Sequence, residues 1–98
     1  MNFARNWISS SNKLRDCVLD RNVLEDLQYW IAADPRVARR IIELMEAVLR
    51  DPFTGAGKPE PLKYLAADTL SRRITQEHRL VYRVYADRIA FLQARHHY

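Results

Sequence analysis

The 98-residue sequence has one cysteine, two glycines and no long hydrophobic run. The single Cys17 excludes an internal disulfide bond and a metal site built from cysteines. The longest uninterrupted apolar segment, residues 29–33, is far shorter than the roughly 18 residues that cross a bilayer. The first thirty residues contain no apolar segment typical of a signal peptide. We therefore expect a soluble, cytoplasmic protein that does not act at a membrane.

Metal, nucleotide and thiol sites lack their usual motifs in this chain. The three histidines do not have the His-x-x-x-His spacing of a zinc site, and no Cys-x-x-Cys pair is present. Gly55 and Gly57 are not followed by the residues of a phosphate-binding loop. Cys17 stands in a short apolar segment, where we expect a small core residue rather than a nucleophile. We expect neither a metal nor another cofactor.

Positive charge is concentrated in the second part of the chain. Residues 1–57 contain eight basic and eight acidic side chains, whereas residues 58–98 contain eight basic and four acidic ones. The second segment therefore carries the whole net charge of +4, and thirteen of the sixteen cations are arginine. The planar guanidinium group suits phosphate oxygens, which favours a nucleic-acid partner. Arginines that only keep a sheet edge soluble would produce the same charge.

Hydrophobic spacing predicts an α+β domain with a helical hairpin packed on one face of an antiparallel β-sheet. A short strand is predicted at residues 17–19, and a first helix at Asn22. The pair Asp34-Pro35 ends that helix and starts a second, which ends at Asp51. The apolar stripe predicted to be core in the first helix comprises Val23, Leu24, Leu27, Trp30 and Ile31. The polar face of the second helix, predicted to lie away from the strands, carries Arg36, Arg39, Arg40 and Arg50.

Residues 51–61 contain three of the four prolines and both glycines, which predicts neither a helix nor a hydrogen-bonded strand. Three consecutive antiparallel strands are predicted after it, at residues 71–75, 79–85 and 88–94. The last of these is apolar on both sides at its middle, which indicates an interior strand. The polar residues 1–15 are predicted to be an N-terminal extension, in front of a domain that spans residues 16–98.

Titratable side chains in the basic half could cleave a phosphodiester without a metal. Such cleavage needs a base for the ribose 2′-OH, cations at the phosphate and an acid for the leaving 5′ oxygen. The candidates for these tasks are Glu60, Lys63, Arg72, Arg73, Arg79, His97 and Tyr98. By spacing alone, a solvated loop glutamate and a frayed C-terminus explain these residues more readily.

Two long sequence blocks and the C-terminus carry a resemblance to a known family. The blocks are DPFTGAGKPEPLK at residues 51–63 and SRRITQEHRLVY at residues 71–82, and the chain ends in RHHY. The similarity extends to LEDLQYW and to the Asp-Pro-Arg start of the second helix, so it spans residues 16–98. The chain resembles the YoeB (Txe) toxins of the RelE superfamily of ribosome-dependent mRNA interferases. The resemblance implies a RelE-like, microbial-ribonuclease-like fold.

The resemblance also implies an activity and its residues. The expected protein is the toxin of a type II toxin–antitoxin pair, an endoribonuclease that cleaves mRNA in the ribosomal A site without a metal. Glu60 matches the general base and His97 the general acid. Arg79 matches the arginine that stabilises the transition state, and Lys63 and Arg73 match the cations that bind the phosphate.

The C-terminus matches the family pattern with one departure. Tyr98 matches the aromatic residue that orients the substrate, and His96 stands where an aromatic residue is more usual. His96 therefore competes with His97 for the role of acid, and we favour His97.

Partners follow from the same resemblance. It implies an antitoxin of the YefM/Phd class, whose acidic, disordered C-terminal segment folds over the basic site. It implies the ribosome, through its rRNA, and mRNA as further partners, and it allows for a homodimer. Two alternatives stay open: a non-catalytic RelE-superfamily toxin that poisons DNA gyrase, and a nucleic-acid-binding partner that acts only in operon autoregulation. Glu60 and the His97-Tyr98 pair count against the gyrase poison, whose relatives generally lack them.

Overall fold

The computed structural model describes residues 15–96, which form two helices and a five-stranded sheet. The elements in chain order are β1 Asp16–Leu19, α1 Arg21–Ala33, α2 Pro35–Arg50, β2 Glu60–Pro61, β3 Thr69–Arg73, β4 Arg79–Val84 and β5 Arg88–Gln93. Both helices pack on one face of the sheet, so the expected α+β class is confirmed. Within residues 15–96, neither helix is long and apolar enough to cross a membrane.

The strand order in the sheet is β1-β5-β4-β3-β2. The predicted meander is present as β3, β4 and β5, although β3 begins at Thr69 and ends at Arg73 instead of spanning residues 71–75. The strand β5 lies between β1 and β4, which confirms that it is interior. One pairing was not expected: β1 runs parallel to β5, with Asp16 opposite Arg88. Parallel neighbours need a long connection, and here both helices and three strands lie between β1 and β5 in the chain.

Aspartate side chains set the helix starts. Helix α1 begins at Arg21, one residue before the prediction, because Asp20 is its N-cap and accepts a hydrogen bond from the Asn22 amide at 2.8 Å. Helix α2 has Asp34 as N-cap and Pro35 as its first residue, as predicted. Asp51 is the C-cap of α2, which confirms the predicted end.

The core lies between the hairpin and the sheet, and two residues of the predicted stripe are outside it. Val23 and Trp30 are buried in α1, whereas Leu24 is 49% and Ile31 61% exposed. A helix turns about 100° per residue, so Leu24 and Ile31 lie one step around from the narrow seam that Val23, Leu27 and Trp30 form. The prediction that they are core was therefore wrong.

The prediction that Cys17 is a core residue was also wrong. The strand β1 has four residues and forms an edge of the sheet, and Cys17 is exposed there. Partial burial still raises the pKa of its thiol, so Cys17 stays protonated at neutral pH and is a poor nucleophile.

The proline-rich segment contains a short strand, which contradicts the strand-free prediction for residues 51–61. Glu60 and Pro61 form β2 and pair with Ser71 and Leu70 of β3. A proline is tolerated at this place because β2 is an edge strand and needs to donate hydrogen bonds on one side only.

A buried arginine holds the loop that leads into β2. Arg72 has no exposed surface, and its guanidinium group donates to the carbonyl oxygens of Ala56 at 3.0 Å, Thr54 at 2.9 Å and Asp51. Its Nε also donates to the Tyr82 hydroxyl at 3.2 Å. A planar group with five donors can serve several loop carbonyls at once. Arg72 therefore joins β3 to residues 51–56.

Close packing at Gly57 completes this attachment. The Gly57 backbone has a φ of 82°, and an added Cβ would lie 3.0 Å from the Arg72 Cβ and 3.1 Å from the Arg73 carbonyl oxygen. No larger residue fits there without displacing β3. The Gly57 carbonyl accepts from the Arg73 amide at 2.7 Å, and the Tyr82 hydroxyl donates to the Pro52 carbonyl at 2.7 Å.

We expect Arg72→Met to lower the free energy of unfolding by about 2–4 kcal/mol, because three loop carbonyls and the Tyr82 hydroxyl lose their donor. Arg73→Met is the matched control, since Arg73 is the adjacent arginine but its side chain is exposed; its change should stay within about 0.5 kcal/mol. Urea unfolding followed by circular dichroism measures both. Equal losses in the two variants would contradict this role of Arg72.

Candidate active site

Strand register brings the candidate residues of β2, β3 and β4 to one face of the sheet. Glu60 lies opposite Ser71, and Arg73 lies opposite Arg79. Residues directly opposite each other share a face, and successive residues alternate between faces. Because the neighbouring Arg72 points toward the helices, these four side chains lie on the face that the helices leave uncovered.

Arg79 is the central side chain of this group. Its Nη2 lies 3.1 Å from Glu60 Oε1, and its Nε donates to Ser71 Oγ at 2.7 Å. The Arg79 side chain is 16% exposed and that of Glu60 65% exposed, while Ser71 is fully buried. Two contacts thus fix the plane of a nearly buried guanidinium group, next to a carboxylate that stays open to solvent.

Arg73 adds a second positive charge at the same place. It is exposed, and its backbone is held by the hydrogen bond from its amide to Gly57. Like charges directly opposite each other on adjacent strands are unfavourable. The Glu60 carboxylate forms an ion pair with Arg79. The arrangement is suited to binding an anion beside an accessible carboxylate.

Lys63 lies just beyond β2 and is not part of this cluster. Its exposed side chain lines an open cleft of about 460 Å³ together with Phe53, Pro61 and Asp68. Of the five candidates that the structure describes, three come together: Glu60, Arg73 and Arg79. Arg72 is buried and binds the 51–56 loop, and Lys63 lies at a neighbouring cleft.

His97 and Tyr98 lie outside the described residues, which end at His96. The His96 carbonyl oxygen accepts a hydrogen bond from the Arg79 amide at 2.8 Å, and its amide donates to His78 Nδ1 at 2.7 Å. The C-terminal segment therefore reaches the start of β4, where Arg79 is located.

Sequence reasoning missed Ser71 and His78. Ser71 could have been found from the two-residue period of a strand, which puts it on the same face as Arg73. His78 has no signal in the sequence, because its contact is with a residue 18 positions away.

The helical pattern wrongly predicted that Arg40 lies away from the strands. Its side chain donates to the carbonyl oxygens of Ile74 and Arg73, each at 3.4 Å, at the end of β3. It does not lie away from the strands, because the long arginine side chain reaches around α2 to the sheet. Arg36, Arg39 and Arg50 are exposed on α2.

No group of three or more His, Cys, Asp or Glu side chains within residues 15–96 is arranged to hold a metal ion. The geometry thus consists of a carboxylate, two guanidinium groups and a hydroxyl. These groups can accept a proton and stabilise a negative charge on a bound phosphate.

Comparison with known proteins places the chain in a family. A family model for the YoeB-like toxin of bacterial type II toxin–antitoxin systems matches residues 19–98. The chain is similar to Toxin YoeB of Mycobacterium bovis, with 48% identity over 85 residues that cover 87% of this chain and 100% of the relative.

Solved structures agree with this comparison. The YoeB dimer from Staphylococcus aureus matches with a TM-score of 0.78 and 34% identity, over 86% of this chain and 98% of that chain. The YoeB–YefM complex from the same organism matches with a TM-score of 0.74 and 34% identity over the same shares. The expected fold is confirmed. The chain belongs to the YoeB-like toxins of bacterial type II toxin–antitoxin systems.

Proposed function

We propose that this toxin is a ribosome-dependent endoribonuclease that cleaves mRNA in the A site by metal-independent acid–base catalysis. The observation that carries the proposal is the Glu60–Arg79–Ser71 group, with Arg73 opposite Arg79 on the same face of the sheet, which the helices do not cover. It provides a base and two phosphate-binding cations without further components.

Glu60 is the proposed general base. Its carboxylate is exposed enough to meet a ribose 2′-OH, and the contact with Arg79 Nη2 orients it. Glu60 takes the proton from the 2′-OH, and the 2′ oxygen attacks the adjacent phosphorus. Because the Glu60 carboxylate is open to solvent, this ion pair adds little to stability, and its main effect is on geometry.

Arg79 and Arg73 are the proposed stabilisers of the charge that develops on the phosphate oxygens. Arg79 is already held by Ser71, so it needs little reorganisation during the reaction. Lys63 is the proposed third cation and contacts the RNA backbone from the cleft next to β2.

His97 is the proposed general acid, and Tyr98 the residue that orients the substrate. Support comes from the family match, which includes residues 97 and 98, and from the position of His96 beside the Arg79 amide. His97 protonates the leaving 5′ oxygen, which leaves a 2′,3′-cyclic phosphate on one fragment and a 5′-OH on the other.

The exposed arginines of α2 are proposed to contact the phosphates of ribosomal RNA. Arg36, Arg39 and Arg50 are exposed on α2, whereas Arg40 donates to the carbonyl oxygens of Ile74 and Arg73. Contacts of this kind do not depend on the RNA sequence.

The proposed protein partner is an antitoxin of the YefM/Phd class. Support comes from the match to a YoeB–YefM complex and from the positive charge of residues 58–98. An acidic antitoxin segment would bind the arginines of the open face and block the site. We also propose a homodimer on the basis of the match to a YoeB dimer, and a cytoplasmic location where ribosomes are available.

A translating extract distinguishes this proposal from its alternatives. Primer extension on an mRNA in the extract should reveal cuts that require ribosomes. A gyrase poison would leave the mRNA intact and instead inhibit supercoiling by purified gyrase. A purely autoregulatory partner would bind its operator without either effect.

We expect Glu60→Gln to lower the rate of cleavage about 100-fold or more, because the amide keeps the shape of the side chain but cannot take the proton. Glu25→Gln on the exposed surface of α1 is the control and should cleave as the unmodified toxin does. The measurement is single-turnover cleavage on saturating ribosomes. Matching rates for the two variants would exclude Glu60 as the base.

We expect His97→Ala to lower the same rate about 100-fold, in the range of general acid catalysis. His96→Asn should cost far less, because asparagine adopts the left-handed backbone conformation that His96 has, with a φ of 67°. A larger loss in the His96 variant would move the acid role to His96.

We expect antitoxin affinity to fall as salt rises, and the double variant Arg73→Glu/Arg79→Glu to weaken binding by about tenfold or more. The matched control is Arg36→Glu/Arg39→Glu, which makes the same charge change on α2. Calorimetric titration with the antitoxin measures both. A complex that is insensitive to salt and to the first double variant would show that apolar contacts with the helices carry the binding.

A further inference from the structure

A second group of arginines lies at the turn between β4 and β5, around one tyrosine. The guanidinium carbon of Arg88 lies 3.8 Å from the centre of the Tyr85 ring, and that of Arg83 lies 5.1 Å from it. Both distances are within the range of a cation–π contact. Arg83 precedes Tyr85 by two residues, and the Tyr85 amide donates to the Arg88 carbonyl oxygen across the turn at 2.9 Å. We call Arg83, Tyr85 and Arg88 the Tyr85 cluster.

The Tyr85 cluster has an excess of positive charge. Arg15 adds a third guanidinium group, whose Nε donates to the backbone carbonyl of the cluster's tyrosine at 2.8 Å. Arg88 pairs with Asp87 at 3.0 Å, and Asp16 of β1 lies opposite Arg88 in the sheet register. Within residues 15–96, no carboxylate forms an ion pair with Arg83 or Arg15. Three cations therefore stand beside two carboxylates, and the group keeps a net positive charge.

The Tyr85 cluster lies on the same face of the sheet as the Glu60–Arg79 site. In β4, Arg79 and Arg83 are four residues apart, so they point to the same side at a distance of about 13 Å along the strand. Arg88 points to that side as well, because the adjacent Ile89 is fully buried in the core under the helices. The strands β3, β4 and β5 contain no acidic residue. No negative charge of these three strands thus separates the two groups of arginines.

The tyrosine ring prepares the arginines for an anion. A guanidinium group held against an aromatic ring loses its side-chain freedom during folding, so less is lost when a ligand binds. Its N–H donors match the oxygens of a phosphate. Single-stranded nucleic acids are bound by this combination of cations that follow the backbone and aromatic side chains among them. The alignment of the cluster with the Glu60–Arg79 site therefore favours a nucleic-acid strand over an isolated anion.

We propose that the Tyr85 cluster is a second phosphate-binding site, which holds the backbone of the same single-stranded mRNA whose scissile phosphate lies at Arg79. The inference rests on the proposed function, because it needs an RNA strand at Arg79. A strand held at both ends of β4 is bound a few nucleotides away from the cleaved bond, through its phosphates and without regard to base sequence. A helix of ribosomal RNA and an acidic protein segment are the competing occupants.

Single substitutions separate the charge from the ring. Arg83→Gln removes one cation, and Arg21→Gln, at an exposed arginine of α1, is the matched control. Tyr85→Leu removes the ring without a change in charge, whereas Tyr85→Phe keeps the ring. Circular dichroism checks that each variant folds, and Arg83→Gln alone tests the proposal if Tyr85→Leu does not.

The probe is a fluorescent, 2′-O-methylated oligouridylate of about 12 nucleotides, which lacks the 2′-OH needed for cleavage. Fluorescence anisotropy gives its dissociation constant at several salt concentrations. We expect Arg83→Gln to weaken binding about tenfold and to reduce the slope of the log–log salt dependence by about 0.7, the value for one phosphate contact with a single strand. Tyr85→Leu should weaken binding about 3- to 10-fold with an unchanged slope, while Tyr85→Phe and Arg21→Gln stay within about twofold.

Three results would overturn the inference. Binding by Arg83→Gln that is no weaker than binding by Arg21→Gln would remove the second site. An RNA duplex of the same length that binds at least as tightly as the single strand, and is weakened by Arg83→Gln, would assign the cluster to a helix of ribosomal RNA. Oligoglutamate that is weakened by Arg83→Gln while the RNA is not would assign it to an acidic protein.

Failure of this inference and failure of the proposed function give different results. The binding measurements use neither ribosomes nor cleavage, so a negative result leaves the proposed activity intact. A full cleavage rate in Glu60→Gln would instead remove the proposed base without changing how the Tyr85 cluster binds the oligouridylate.

Discussion

The attachment of the 51–57 loop by Arg72 is the interaction on which the rest of the site depends. A guanidinium group with no exposed surface is costly to bury unless its donors are used, and here they meet three loop carbonyls and the Tyr82 hydroxyl. The loop fixed in this way delivers Glu60 to the edge of β3, where it pairs with Ser71. The Tyr82 hydroxyl, which donates to the Pro52 carbonyl, and the Arg73 amide, which donates to the Gly57 carbonyl, support the same attachment.

The adjacent arginines Arg72 and Arg73 illustrate how a strand separates structure from chemistry. They are adjacent in β3, so Arg72 points into the interior and Arg73 points to the opposite face of the sheet. Arg79 faces Arg73 from β4 and is oriented by Glu60 and Ser71. In the proposed function, these two positive charges lower the cost of binding a phosphate, because folding has already brought both arginines to one face of the sheet.

The hydrophobic pattern predicted three core residues wrongly, one at an edge of the sheet and two in the first helix. Cys17 has the composition of a core strand, but β1 is an edge and leaves it exposed. Leu24 and Ile31 have the spacing of a core stripe, but in α1 only the side of the helix with Val23 and Trp30 is buried. In each case the local sequence has the apolar pattern of a core, but burial depends on whether another helix or strand packs against the side chain.

The sequence by itself determined the two helices with their aspartate caps, the alternation of β4, the interior position of β5 and the motif blocks that indicate the family. These features depend on residues within a few positions of each other, where local geometry and hydrophobic period decide. Only the tertiary structure decided that Glu60 meets Arg79, and that His78 accepts from the His96 amide. Those contacts join residues 18 or 19 positions apart. They depend on strand register, on the path of two turns and on one buried guanidinium group, none of which a local pattern contains.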